Sequence, residues 1–355
     1  MEELVFYRVG LDKQVWKNIN ILKINNLNKL LSKSNVSVSG GQVYKRIINT
    51  SVGVEQVGKI KICDEIFMLE FGVVARNGNI NKLQNYEKLE FNPSSILNQG
   101  INFNPIVNSS QLIEVIEIIK SRLQNQYGII VDFDDARIKK CEININIPLD
   151  YDMKNYQIPL EFLLHKILNH KKKFALYHEG YFNAIYSANK NVEFKIYEKN
   201  KECNLFLNND TARLEYKLLE EEKVFNILKT TKIKDVLKDF SIIENSFYKM
   251  FEDDIYSKLN KVFDKLVKDN LKIFNSFKSE SQQFKSYLSS IDVNSTFDYL
   301  VVKKMISQTN LKKNQKSNMK FIAYKKLREK QTQMIGNIEL LNEILIKLNY
   351  NPIKL

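Results

Sequence analysis

The chain has 355 residues, 44% hydrophobic and 11% aromatic, with a formal net charge of +13. That length and apolar content allow two or three domains with a packed core and exclude a disordered tail. No run of about 18–20 apolar residues marks a membrane span, and the opening "MEELVFYRVG" lacks the basic, apolar and small-residue zones of a secretory signal.

Three cysteines, Cys63, Cys141 and Cys203, none in a C-x-x-C pair, argue against a disulfide scaffold or a cysteine zinc site and fit a reducing cytoplasm. The basic balance points to a polyanionic partner, nucleic acid first, and the lack of an apolar span leads to an expectation of no membrane partner. A Lys-, Asn- and Ile-rich composition set by an AT-rich genome is the competing explanation.

Residues 1–108 read as a mixed α/β part. "ELVFYRVG" (3–10) predicts a strand, and "QVWKNINILKINNLNKLLSK" (14–33) predicts a helix. "VSVSGGQVYKRI" carries Gly40-Gly41 between two alternating runs, the signal of a hairpin. Further strands are expected in "VGVEQVGKIKICDE" and "IFMLEFGVVARNG", and a loop over 92–108.

Residues 109–230 form the second part. Asn108 and Gln111 have cap and third-position spacing, and Leu112, Val115, Ile116, Ile119 and Leu123 then mark one helical face. A strand follows at 138–147, then a helix within 151–172. Strands are expected at 173–178, 181–186, 192–198 and 212–218, in a sheet with crossover helices on one face.

Beyond about residue 220, Pro and Gly nearly vanish and apolar residues recur at helical spacing. Residues 231–355 are expected to be all helical, without heptads or a solenoid repeat. The stretch "SQTNLKKNQKSNMKFIAYKKLREKQTQ" is basic; Lys312, Lys313, Lys325 and Lys326 make it either a duplex-contacting loop and helix or a solvated helix face.

Walker-type phosphate loops and a Gly-x-Ser-x-Gly elbow are absent, and His165, His170 and His178 have no metal-binding spacing. What remains is a set of tyrosines and carboxylates on strands. "CEININIP" puts Glu142, Asn144 and Asn146 on one face and Ile143, Ile145 and Ile147 on the other. A carboxylate with two amides offers oxygen ligands to a hard cation such as Mg²⁺ or Mn²⁺; a strand with one solvated face is the competing reading.

In "VEFKIYE", Lys195 and Lys199 share the face of Tyr197 and favour its phenolate. In "ARLEYKL", Arg213 has the chemistry to hold a phosphate, and Glu215 to complete a cation site or pair with a lysine.

Taken in order, "SQLIEVIEIIKSRLQNQYGIIV", "ARIKKCEININIPLDYD", "YFNAIYSANKNVEFKIYEKNKE" and "ARLEYKLLEEEKVFNIL" resemble the replication initiators of small rolling-circle plasmids and filamentous phages. Those read as an Arg-x-Asp strand, a Gly/Tyr/Ser hairpin, an Arg-Ile-Tyr-x-Lys-x-x-Glu strand and an Arg-x-Glu-hydrophobic-Arg-Leu strand; the similarity covers roughly residues 110–230.

The resemblance implies an α+β fold, with an antiparallel-rich central sheet and a C-terminal helical region. It also implies metal-dependent nicking and joining of single-stranded or hairpin DNA, and binding to duplex origin DNA, with Mg²⁺ or Mn²⁺ as cofactor. Carried over by position, Tyr197 is the nucleophile, with Tyr186 and Tyr181 as alternatives within the hairpin. Glu142, Glu202 and Glu215 fall at metal positions, and Lys195, Lys199 and Arg213 at phosphate positions.

Glu142 stands where the family has aspartate, and Lys140 where it has arginine. These departures leave open a degenerate initiator fold that binds nucleic acid, including RNA, or a host protein, for example as an anti-CRISPR-like inhibitor. A homodimer is also left open.

Overall fold

The structure is a computed structural model that describes residues 6–39, 55–76, 79–178, 181–205, 207, 209–277, 286–287, 289, 297–330 and 336–354. Twelve strands form: β1 (Gly10–Lys17), β2 (Asn20–Ile24), β3 (Val36–Ser39), β4 (Glu55–Cys63), β5 (Phe67–Arg76), β6 (Asn79–Phe91), β7 (Ile129–Asp132), β8 (Arg137–Pro148), β9 (Lys172–His178), β10 (Tyr181–Ala188), β11 (Val192–Glu198) and β12 (Thr211–Leu218). Ten of them make one sheet in the order β3-β4-β5-β6-β1-β8-β12-β11-β10-β9. Its pairings are antiparallel; β2 and β7 pair separately.

The fold is α+β, with a large antiparallel sheet and a helical C-terminal region. Alternation explains the centre of the sheet. Ile143, Ile145 and Ile147 of β8 project to one face with Phe194, Ile196, Leu214 and Tyr216 of its neighbours, all fully buried. Tyr216 packs on Phe194 with tilted rings 4.6 Å apart and meets Phe247 edge-on at 5.7 Å, so helix Ser241–Phe251 covers that face.

The opposite face is not solvated. Asn144 and Asn146 are fully buried there, because the segment 102–107 crosses over it. Leu11 and Ile106 exchange backbone hydrogen bonds of 2.8 and 2.9 Å.

The helix after Asn108 is as read: it spans Ser109–Arg122, Asn108 Oδ1 accepts from the Gln111 amide at 2.9 Å, and Leu112, Val115, Ile116 and Ile119 are buried. In the C-terminal region helix Ser241–Phe251 runs through a π-helical turn into Ser257–Asn275. Phe263 stacks on Phe162 at 5.2 Å, and Glu343 of the helix Asn337–Lys347 accepts from the Asp150 amide at 2.9 Å, so the helical region packs on the sheet-bearing part. Among the described residues no helix is long and apolar enough to cross a membrane.

Three expectations fail in the first hundred residues. Among the described residues the first strand starts at Gly10, where the expected one ends, and residues 6–9 are outside any strand; residues 3–5 of that expectation lie outside the described residues. The helix expected over 14–33 is the second half of β1, then β2 and one turn at Leu27–Leu31. Trp16 and Val15 are adjacent and both buried, since β1 lies inside the sheet with register shifts at Leu11/Gln14 and Val15/Trp16; the shifts erase the period-two signal. Strand β6 had no assignment, and the 92–108 loop contains a helical turn at Pro93–Leu97 capped by Asn92. The Gly40-Gly41 turn lies outside the described residues.

Gly10 is where the crossing segment comes closest. A Cβ there would meet the Ile106 carbonyl oxygen, with Pro105 Cβ at 2.9 Å. Gly10→Ala is therefore expected to lower the free energy of unfolding by about 1–3 kcal/mol, the scale of overpacking, in urea denaturation. Unchanged stability would contradict this close approach.

Candidate functional site

Four adjacent strands, β1, β8, β12 and β11, build the polar face. Opposed pairs are Arg213↔Asn146, Glu215↔Asn144 and Lys217↔Glu142 between β12 and β8, and Lys195↔Glu215 and Tyr197↔Arg213 between β11 and β12. Opposite charges so placed attract across a sheet.

The irregularity between Leu11 and Gln14 puts Asp12 into the same group. Such a bulge re-aims a side chain. Carboxylate oxygens of Asp12, Glu142 and Glu215 all lie within 4.8 Å of one another, and the three residues are at most 9% exposed.

Each carboxylate has a cationic partner. Arg213 Nη1 lies 2.8 Å from Asp12 Oδ2, Lys217 Nζ 2.6 Å from Glu142 Oε1, and Lys195 Nζ 3.5 Å from Glu215 Oε1. The Tyr197 hydroxyl donates to Glu215 Oε2 at 3.1 Å.

Burial, together with neighbouring Glu215, pushes Glu142 up to about 7 despite Lys217. Burial likewise raises Asp12, opposed by Arg213 and Lys199. Burial and then Glu215 hold the Tyr197 phenol well above its ordinary value, with Arg213 pulling the other way.

The cluster fits a hard divalent cation. Its donors are all oxygen, and buried Asp12 Oδ1 and Asn144 Oδ1 have no hydrogen-bond partner, a condition that coordination would relieve. Asn146 is not available for this: its Oδ1 accepts from Arg213 Nε at 2.8 Å and its Nδ2 donates to the Phe103 carbonyl at 2.8 Å.

Two further expectations are corrected. Arg213 is fully buried and spends its fork on Asn146, Asp12 and the Phe103 carbonyl, so it braces the site instead of gripping a phosphate. Glu202 is outside the convergent group. It follows the end of β11 in the helical turn Lys199–Glu202 and accepts from Lys199 Nζ at 2.7 Å. Lys199 itself is fully buried, with its ammonium 5.6 Å from the Tyr197 ring centroid.

Tyr186 lies on β10, across from Lys195 and one strand beyond Tyr197, and stacks on Phe174. Tyr181 opens β10 opposite His178. Lys312, Lys313, Lys325 and Lys326 belong to the start and body of helix Lys313–Lys330, whose Met319, Ala323 and Leu327 are buried. None of these four lysines lines the cleft above the carboxylates. That cleft, about 1100 Å³, is lined by Tyr197, Glu142, Glu215, Glu202, Lys195 and Lys201 among others.

Sequence reasoning missed Asp12. The available signal was an acid inside "VGLDKQVW", flanked by apolar residues; it fell between the strand expected over 3–10 and the helix expected over 14–33.

No family model and no curated protein matches the chain. A solved rolling circle replication initiator protein from Geobacillus stearothermophilus is similar in structure, with a TM-score of 0.31, 12% identity, and coverage of 61% of this chain and 76% of that chain. A likeness this slight carries no activity, site or partner across.

The raised Glu142 gives a pH test. With a folded value of about 7 against an ordinary 4.5, the folded state holds a proton that the unfolded chain releases, so stability falls as pH rises through that window. In chelator, Glu142→Gln is expected to melt higher than the unmodified protein above about pH 7, with the gap closing towards pH 4.5. A gap that does not change with pH would contradict the assignment.

Proposed function

We propose that the protein nicks and joins single-stranded DNA through Tyr197, as a replication initiator of the rolling-circle type does. The observation that carries this reading is the Tyr197 hydroxyl donating at 3.1 Å to Glu215, one member of a buried three-carboxylate cluster open to a cleft.

Asp12, Glu142 and Glu215, with Asn144 Oδ1, would hold Mg²⁺ or Mn²⁺. The bound cation supplies neutralisation of negative charge at the scissile phosphate and departing oxygen. Tyr197 Oη attacks the phosphorus while its proton passes to the Glu215 carboxylate. The bond from phosphorus to the 3′ oxygen breaks, water protonates the departing oxygen to give the free 3′ hydroxyl while Glu215 returns its proton to solvent, and a 5′-phosphotyrosyl link remains; attack by a 3′ hydroxyl reverses the steps and joins.

Arg213 favours the phenolate, offsetting part of the cost of its burial, and the Lys199 ammonium lies 5.6 Å from the ring centroid. Lys195, in the cleft wall, orients phosphate oxygens. Helix Lys313–Lys330, with Lys312, Lys313, Lys325 and Lys326, supplies contacts to duplex DNA at the origin.

One observation favours a second reading. Arg213, Lys217 and Lys195 already neutralise the three carboxylates, as they would in a non-catalytic module that binds nucleic acid or a protein.

The separating experiment is incubation with single-stranded hairpin DNA and Mn²⁺, followed by a denaturing gel. The nicking reading expects a protein–DNA adduct that disappears with chelator and in Tyr197→Phe. It also expects slowing by about 100-fold or more in Glu215→Gln, the scale of a lost general base. Cleavage persisting in Tyr197→Phe would refute the nucleophile. Salt-sensitive binding with no adduct, unaltered by Glu142→Ala, would establish the module.

A further inference from the structure

We propose that Phe174 and Tyr186 form a stacking platform for unpaired bases of the strand lying in the cleft; naming that strand as DNA rests on the nicking reading above. One register row crosses five strands: Phe174↔Tyr186, Tyr186↔Lys195, Lys195↔Glu215 and Glu215↔Asn144. Residues opposed in this way share a face, so both rings project on the side of the sheet that carries the carboxylates. With strands about 4.8 Å apart, Tyr186 sits roughly 10 Å and Phe174 roughly 14 Å from Glu215 along the row. Those are distances for nucleotides neighbouring the scissile phosphate.

The two rings are stacked already, with centroids 4.5 Å apart and planes 20° apart. Phe174 lies on the edge strand β9 and is 44% exposed, as is Leu176 two residues on, which lines the cleft. The aromatic surface therefore continues the cleft wall.

Charge favours an anionic strand. Lys195 Nζ is 5.8 Å from the Tyr186 centroid and also pairs with Glu215, which links platform and carboxylates through one side chain. Exposed Lys172 stands beside Phe174 on the same face, opposite Ala188. Flat rings interleaved with lysines suit bases and phosphates of a single strand, whose π-faces are presented irrespective of sequence. A duplex keeps those faces stacked inside. The patch holds two rings and a leucine, too small an apolar area for a stable protein interface.

The test is fluorescence anisotropy, in chelator so that nothing is cut, with labelled oligo(dT) and an equally long oligonucleotide made wholly of abasic sites. Phe174→Ala with Tyr186→Ala is expected to weaken oligo(dT) binding by about 10- to 100-fold, the scale of lost base stacking, and to leave abasic binding unchanged. Phe174→Leu with Tyr186→Leu keeps apolar bulk without π-faces and is expected to behave like the alanine pair; it serves as the test should that pair fail to fold. Phe174→Tyr should retain binding.

No loss, or an equal loss on both oligonucleotides, would overturn the platform. The first outcome would fit a peptide pairing with the β9 edge instead. If the unmodified protein binds neither oligonucleotide, the nicking reading falls and takes the platform with it; if it binds oligo(dT) and the platform variants show no loss, the platform falls alone and the nicking reading is left to its adduct test.

Discussion

The polar half of this molecule depends on one buried guanidinium. Arg213 is fully buried and bonds to Asn146 on β8, Asp12 on β1 and the carbonyl of Phe103 in the crossing segment. A charge so far from water is tolerable only when its donors are satisfied and an opposite charge is close. Asp12 meets that need, so the same contact that settles Arg213 draws a carboxylate from β1 against those of β8 and β12. Replacing either partner would leave the other buried without the opposite charge that contacts it directly.

From this follows the asymmetry of the sheet. One face is an ordinary apolar interface with helices, and Ile143, Ile145 and Ile147 pack there. The other face is covered by residues 102–107 at Asn146 and Arg213, and opens towards β11 and β10, where Tyr197 and Lys195 meet the cleft. Burial first, and then neighbouring Glu215, disfavour the ionised form of Glu142 inside this enclosure, which is why it holds its proton to about 7. The strain of like charges and the unpaired oxygens of Asp12 and Asn144 are the physical argument for a cation.

The centre of this design was legible in the sequence because "CEININIP" of β8, "VEFKIYE" of β11 and "ARLEYKL" of β12 alternate polar and apolar residues. Glu142, Glu215, Tyr197 and Lys195 were therefore placed on the correct face by spacing alone, and the helix at Ser109–Arg122 was readable from its Asn108 cap. What was not legible was long range. A bulged strand buried on both faces has no periodicity to read, so β1 passed for part of a helix and Asp12 escaped. The commitment of Arg213 depends on Asp12 and Phe103, 201 and 110 residues away in the chain. The family resemblance put Glu202 at a metal position, yet the chain leaves the strand at Lys199 and turns its carboxylate to that lysine.

The most direct measurement is anomalous diffraction at the manganese edge from crystals grown with Mn²⁺. The account expects a peak bounded by Asp12, Glu142 and Glu215, with Asn144 Oδ1 in its shell and Lys217 displaced from Glu142. A map without density there, in crystals where Arg213, Lys217 and Lys195 keep their pairings with the three acids, would contradict it.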